Sequence, residues 1–346
     1  MKVLVTGSKG YIGSVLVPML LKEGHEVVGL DIDLYRRCTF TGELADISTL
    51  EMDVRDVQKD HLTGFDTIIH LAGLSNDPLG DYRPELTEEI NERASIRLAK
   101  LAKEVGVKRF LFASSCSNYG AAGSKFLNEE ADFNPVTPYG FSKVKVEFAL
   151  NKMADGKFSP IYIRASTAYG MSPRIRFDLV TNNLTAWAFT TGQVYIKSDG
   201  TPWRPIVHVE DICRAYIAAL HAPRELIHNE AFNVGTTTEN YQIREIADIV
   251  KDIVPGCKIE YAPGAGPDKR CYRVDCNKIA RVLRDFKPQW TARRGVQELY
   301  EAYQKVGLTL DEFEGPKYMR IAHVKALIDE TVLDESLRWS FKSAAN

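Results

Sequence analysis

The chain has 346 residues, 45% of them hydrophobic, enough for one large two-part unit or two domains with a substantial core. Its 44 Lys and Arg against 46 Asp and Glu give a formal net charge of −2, which argues against an electrostatic nucleic-acid or membrane binder. No apolar stretch approaches the roughly 20 residues that span a bilayer. The start Met1-Lys2-Val3 enters a strand pattern rather than a signal-peptide core, so a cytoplasmic protein is expected. Cysteines 38, 116, 213, 257, 271 and 276 lack metal-ligand spacing, and the expectation is reduced thiols and no metal site.

The first apolar run, Val3-Leu4-Val5, turns directly into Thr6-Gly7-Ser8-Lys9-Gly10-Tyr11-Ile12-Gly13. Glycines without Cβ let a pyrophosphate approach the backbone, and a helix beginning there offers free N–H donors. Gly7, Gly10, Tyr11, Ile12 and Gly13 are therefore cofactor-binding candidates, although such a turn also serves plain packing. A helical pattern follows (Val15, Leu16, Met19, Leu20), then a turn at Gly24 and a second run, Val27-Val28-Gly29-Leu30, ending in Asp31. A carboxylate about 20 residues past the glycines accepts hydrogen bonds from an adenosine ribose. It favours NAD by repelling a 2′-phosphate, while Arg36 and Arg37 keep NADP open.

Further apolar runs at 67–71, 109–113 and 161–163 alternate with helical stretches such as 85–105 and 139–154. That alternation predicts an α/β fold with a parallel sheet covered on both faces. After about residue 165 prolines, glycines and aromatics increase and elements shorten, for example the strand 231–234 and the helix 242–253. The division expected is 1–165 for cofactor binding and 166–346 for a smaller lobe that closes over the cofactor face, with no linker and a shared core. Near the end, Ile321, Val324, Leu327 and Ile328 form a helical pattern expected to be an appendage or part of a subunit contact.

Two segments carry chemistry. Tyr139-Gly140-Phe141-Ser142-Lys143, with Pro138 as a helix start, places a phenol and an ammonium on one helix face. The ammonium favours phenolate and draws the tyrosine down from about 10 toward the working range of a general base. The run Phe110-Leu111-Phe112-Ala113 ends in the hydroxyl cluster Ser114-Ser115-Cys116-Ser117, where a doubly wound sheet places its ligands.

Glycine turn, Asp31, Asp53-Val54, Leu71-Ala72-Gly73, serine cluster and Tyr139/Lys143 together resemble the extended short-chain dehydrogenase/reductases. More narrowly, nearly the full chain resembles the NAD-dependent nucleotide-sugar epimerase/dehydratase branch. The resemblance implies a Rossmann-type doubly wound parallel sheet with a smaller C-terminal substrate-binding lobe. It implies Ser115, Tyr139 and Lys143 as catalytic residues, Asp53 and Val54 near adenine, and Leu71, Ala72, Gly73 and Ser114 along the nicotinamide side. Substrate contacts implied are Ser75, Ser117, Thr167, Asn183, Arg204 and Arg270, with a nucleotide-diphosphate sugar as ligand. It also implies a homodimer formed through helices 85–105 and 139–154, the first of which carries enough charge to be a solvated face instead.

Departures narrow the reaction. Cys116-Ser117 stands where the 4,6-dehydratases carry Asp-Glu, so dehydration loses its acid/base pair. Cys116 is offset by one residue from the cysteine of related 3,5-epimerases, and in extended chain that offset turns it to packing. Gly200 to Val209 resembles the family segment that ends in His-Val, with Pro205 in place of its aspartate. By the same resemblance Arg204 would contact the nucleotide's ribose or phosphate, and Arg270 (in Pro267-Asp268-Lys269-Arg270) would clamp the diphosphate. His208 reads as a core or supporting histidine. The expectation is an epimerase acting through a transient keto-sugar, most naturally at C4. The competing readings are a nucleotide-sugar oxidoreductase using the same triad and a non-catalytic NAD(H) sensor.

Overall fold

In the computed structural model the described residues are 1–75, 83–264, 266 and 270–340. Seven parallel strands form the main sheet, in the order Glu230–Val234, Ser159–Ala165, Arg109–Ser115, Thr67–His70, Lys2–Thr6, Glu26–Leu30, Thr49–Leu50. The chain winds outward in both directions from Lys2–Thr6, which hydrogen-bonds Glu26–Leu30 on one side and Thr67–His70 on the other. This is the Rossmann-type doubly wound arrangement, whose crevice lies at the carboxyl ends of the strands where the order reverses.

Alternation within the first strand builds the two sides. Val3 and Val5 enter one apolar layer with Leu16, Leu20, Ile212 and Tyr216, from the helices Gly13–Lys22 and Val209–His221. Leu4 enters the opposite layer with Leu98, Val146 and Leu150, from the helices Ala94–Glu104 and Pro138–Met153. The stretch expected at 85–105 is helical from Pro84 to Glu104, with a π-helical segment at Glu88–Arg93.

The last strand of the main sheet and the helix Val209–His221 come from beyond residue 165. The two parts of the chain therefore share a core, because the sheet edge left at Ser159–Ala165 is completed by Glu230–Val234. The smaller lobe carries Thr167–Tyr169 beside Trp203–His208 and Asn240–Gln242, plus two-stranded pairings at Gln193–Ile196 with Lys258–Tyr261 and Ala121–Leu127 with Cys271–Val274. Its apolar centre joins Ile196 and Ile206 to Ile246, Val250 and Val296.

The carboxyl-terminal helix Arg320–Asp329 is no appendage. Val324 and Leu327, with Leu333 and Leu337 after it, are buried in the same layer as Leu4 and Phe110. Among the described residues no helix is long and apolar enough to cross a membrane.

Candidate active site

One cavity of about 940 Å³ opens at the carboxyl ends of the central strands, at the upper end of the range for small-molecule sites. Its floor is the glycine turn. Gly7 has a φ of +72°, and a Cβ there would stand 2.8 Å from the Ala72 amide nitrogen; at Gly13 it would stand 2.1 Å from the Gly7 carbonyl oxygen. Strand, turn and helix can pack this closely only without side chains. Ile12 gives the helix Gly13–Lys22 no side-chain cap, and the Ser14 and Val15 amides bond the Gly10 and Ile12 carbonyls, so an anion at the turn meets the positive end of the helix dipole. Tyr11 is buried and its hydroxyl donates to the Gly170 carbonyl at 2.8 Å, tying the turn to the second lobe.

Asp31 follows the strand Glu26–Leu30. Burial raises its carboxyl above the usual range, while hydrogen bonds from the Asp33 and Lys9 amides, each 2.8 Å long, favour the ionised form. Asp53 is held by Arg55 at 2.6 Å and Val54 is buried beside it. Arg36 and Arg37, the two residues that left NADP open, are engaged elsewhere. The Arg36 guanidinium stacks 3.8 Å from the Trp339 ring centre, and Arg37 pairs with Glu330 at 2.6 Å.

Leu71, Ala72, Gly73 and Ser75 line the next part of the cavity. Asn91, in the π-helical segment, holds this loop: its amide donates to the Leu74 carbonyl at 2.8 Å and its oxygen accepts from the Leu74 amide at 2.7 Å. His70 bridges Thr6 and Ser95 at 2.7 Å each, and burial drives it down to about 3, so it is neutral.

The serine cluster and the Tyr-x-x-x-Lys helix meet on the opposite wall, where Ser114, Ser115, Ser117, Tyr139 and Lys143 all reach the cavity. Ser115 Oγ accepts from the Ser117 amide at 3.1 Å and the Ser117 hydroxyl at 2.9 Å. With its acceptor capacity so used, its own proton is the part left to donate. Ser114 differs: its hydroxyl donates to Glu147 and accepts from Asn118 Nδ2. Thr137 caps the helix Pro138–Met153 by accepting from the Gly140 amide at 3.2 Å, with Pro138 at its first turn as expected. Lys143 lies with its ammonium 5.3 Å from the Tyr139 ring centre and 4.7 Å from that of Phe112. Burial lowers the ammonium to about 8, with Glu147 pulling the other way. Cys116 is fully buried and donates to the Arg164 carbonyl at 3.1 Å, and burial pushes its thiol far up.

The second lobe supplies the remaining wall, including Thr167, Asn183, Arg204 and Arg270. The Asn183 amide group donates to the Phe177 carbonyl at 2.8 Å, and Arg204 donates to the carbonyls of Trp203 and Arg270. Pro267, Asp268 and Lys269 of the second arginine's segment lie outside the described residues. His208 is buried, 2.8 Å from Glu298, and stacked 3.9 Å from the Trp290 ring.

Three sets of residues escaped the sequence reading. Arg176, buried, donates to the Ser75 carbonyl at 2.9 Å and pairs with Asp178 at 2.5 Å. Glu147 and Arg164 form a buried pair at 2.7 Å behind Ser114, for which the Lys143-to-Glu147 spacing of one helical turn was the available signal. Met319, Arg320 and Leu337 line the cavity from near the carboxyl terminus, and no local pattern marked them. Among the described residues no group of three or more His, Cys, Asp or Glu could hold a metal.

The family profile described as the NAD dependent epimerase/dehydratase family matches residues 3–235. The chain belongs to that family. The UDP-glucose 4-epimerase of Lactobacillus helveticus is 31% identical over 315 residues, covering 84% of this chain and 92% of that protein. The UDP-glucose 4-epimerase of Bacillus subtilis is 28% identical, over 86% and 94%. Among solved structures, MoeE5 in complex with UDP-glucuronic acid and NAD is 27% identical with a TM-score of 0.77, covering 88% of this chain and 99% of that one. As in other members, the cofactor is NAD, and the cradle fits it: two glycine positions leave no room for a Cβ, and a half-buried, amide-bonded carboxylate closes the second strand. NAD, when bound, accepts a hydride and returns it.

Proposed function

We propose that this protein is a nucleotide-sugar 4-epimerase that works through a transient keto-sugar while keeping its NAD. The observation that carries the reading is the convergence of Ser115, Tyr139 and Lys143 on the cavity that also holds the glycine turn and Asp31. Gly7, Gly10, Tyr11, Ile12 and Gly13 bind the pyrophosphate, Asp31 the adenosine ribose, and Asp53 and Val54 the adenine side. Leu71, Ala72, Gly73 and Ser114 flank the nicotinamide.

Tyr139, as phenolate beside the Lys143 ammonium, takes the proton of the sugar C4 hydroxyl as the carbinol hydride leaves. Ser115 donates a hydrogen bond to the same oxygen, keeping its own proton, and steadies the charge that develops there. The keto-sugar turns over, and Tyr139 returns the proton as the hydride adds to the other face. Arg204 and Arg270, with Ser75, Ser117, Thr167 and Asn183, hold the sugar nucleotide above this centre. Segment 1–165 mainly serves NAD and 166–346 the sugar nucleotide, although the strand Glu230–Val234 belongs to the cofactor-side sheet and Arg320 and Leu337 line the cavity together with Asp31.

The active form proposed is a cytoplasmic homodimer. Phe141 and Phe148, two helical turns apart on Pro138–Met153, are 51% and 58% exposed, and a second copy packing on that face would cover them. Supporting the cytoplasmic reading, all six cysteines are free thiols.

The test is incubation of the purified protein with UDP-glucose, UDP-glucuronic acid and their GDP and dTDP counterparts. An epimerase yields C4-inverted product by NMR, carries stoichiometric NAD through gel filtration and shows no net absorbance change at the nicotinamide band near 340 nm. A stoichiometric change at that band would make it an oxidoreductase.

A further inference from the structure

The cavity is closed at its adenosine end by a segment from the far end of the chain. Its wall there combines Asp31, Asp33, Leu34, Tyr35 and Asp53 with Arg320 and Leu337. Arg320 opens the helix Arg320–Asp329 and is 6% exposed, with its guanidinium 3.8 Å from the Tyr35 ring centre. Its Nη2 donates to the Arg174 carbonyl at 3.3 Å, while its buried Nε has no hydrogen-bond partner. A buried guanidinium with an unused donor at the edge of a dinucleotide cavity has the shape and charge for a phosphate. Asp178 is an acid close enough to feel its charge and is itself paired with Arg176.

Beyond the helix the backbone is pinned at successive points to the loops that follow the second and third strands. Arg55, which grips Asp53, donates through Nη2 to the Ser336 carbonyl at 2.9 Å. Trp339 donates its indole N–H to the Ile32 carbonyl at 2.6 Å beneath the stacked Arg36. Arg338 pairs with Asp56, and Arg83 with Glu335 at 2.9 Å. Between these points Leu337, 2% exposed, adopts a φ of +60°, a conformation side chains rarely take, and it faces the cavity. Tertiary contacts hold it there.

We propose that residues 319–339 form a strap that closes the adenosine half of the cofactor site, with Arg320 as an additional phosphate contact, and that this strap slows NAD release so that one molecule serves many turnovers. The inference rests on the NAD site described above but not on the identity of the sugar reaction. Its anchors tie the strap to Ile32, Asp53 and Asp56, on the loops that frame the adenosine. Dinucleotide departure therefore requires either the strap or those loops to open.

The test is the rate at which protein-bound, radiolabelled NAD exchanges with excess unlabelled NAD, without sugar nucleotide. Wild type is compared with Arg320→Met and with the double variant Arg338→Ala/Trp339→Ala. At least a tenfold faster release is expected in each, with an unchanged circular dichroism spectrum. Unchanged release in the folded variants, or wild-type release as fast as theirs, overturns the proposal. A second measurement needs no variant: in wild type, NAD should slow hydrogen exchange at the Asp334 and Leu337 amides, which are bonded within the strap. No change there also overturns it. An absorbance change with sugar nucleotide would sink the epimerase reading while leaving this exchange rate as it was.

Discussion

The two walls of the cavity are built in different ways. The cofactor-side wall hangs on regular structure: a strand end at Asp31, a glycine turn, a strand end at Ser115 and one helical turn from Tyr139 to Lys143. The facing wall, from residues 174–183, 204, 270 and 319–337, hangs on side-chain bonds between segments far apart in sequence. Arg176 grips Ser75, Arg174 grips Asp33 at 3.0 Å, and Arg55 grips Ser336. Ser115, Tyr139 and Lys143, the residues proposed to do the chemistry, therefore sit on the part of the molecule that local backbone rules position. Under the proposed function, ligand selection and retention fall to the part that only long-range contacts position.

Substitutions can break that contrast in order of expected effect. Tyr139→Phe should lower kcat by about 10²–10⁴-fold, the usual worth of a positioned acid/base, while leaving bound NAD in place; steady-state rates and NAD content after desalting check both. Glu147→Leu leaves the buried Arg164 guanidinium unpaired and should cost about 3–5 kcal/mol of stability by denaturant titration. Gly13→Ala puts a methyl 2.1 Å from the Gly7 carbonyl oxygen, and the resulting overpacking costs roughly 1–3 kcal/mol. It should appear mainly as lost NAD in calorimetry, since the turn must open to relieve the clash.

The pH dependence follows from burial. Lys143 loses its proton at about 8 rather than near the ordinary lysine value, so support for the Tyr139 phenolate should fade as pH rises through about 8. The kcat profile should carry an alkaline limb there that Lys143→Arg moves upward. For stability the sign is opposite. Between about 8 and the unfolded lysine value near 10.4 the unfolded chain holds a proton that the folded one has lost, so this group adds stability as pH rises. The smallest effect belongs to Arg37→Ala, which removes a half-exposed pair with Glu330. It should cost about 1 kcal/mol or less in a thermal melt and leave the preference for NAD over NADP where it was.

Much of the cofactor side was legible because its signals are local. The run Val3 to Gly13 encodes strand, turn and helix within a dozen residues, and Pro138 marks a helix start that the structure keeps. Arg36 and Arg37 show the limit of such reading. Their nearness in sequence to Asp31 suggested a 2′-phosphate, whereas Trp339 and Glu330, some 300 residues on, occupy them. Ser114 and Ser115 are neighbours in one hydroxyl cluster, and strand alternation separates them: the Ser114 hydroxyl serves the buried Glu147, while Ser115 accepts from Ser117 and keeps its own proton to donate.

The sequence by itself determined the doubly wound sheet, the glycine cradle and the placement of a phenol, an ammonium and a serine at strand and helix ends. Each of these follows from spacing along a short stretch of backbone. Long-range packing alone brings Met319, Arg320 and Leu337 to the Asp31 end of the cavity, turns Arg176 toward it, and sets Glu147 with Arg164 behind the serine cluster. Those arrangements depend on apolar layers and buried ion pairs joining residues tens to hundreds of positions apart, and no periodicity in the chain records which distant partner a side chain will find.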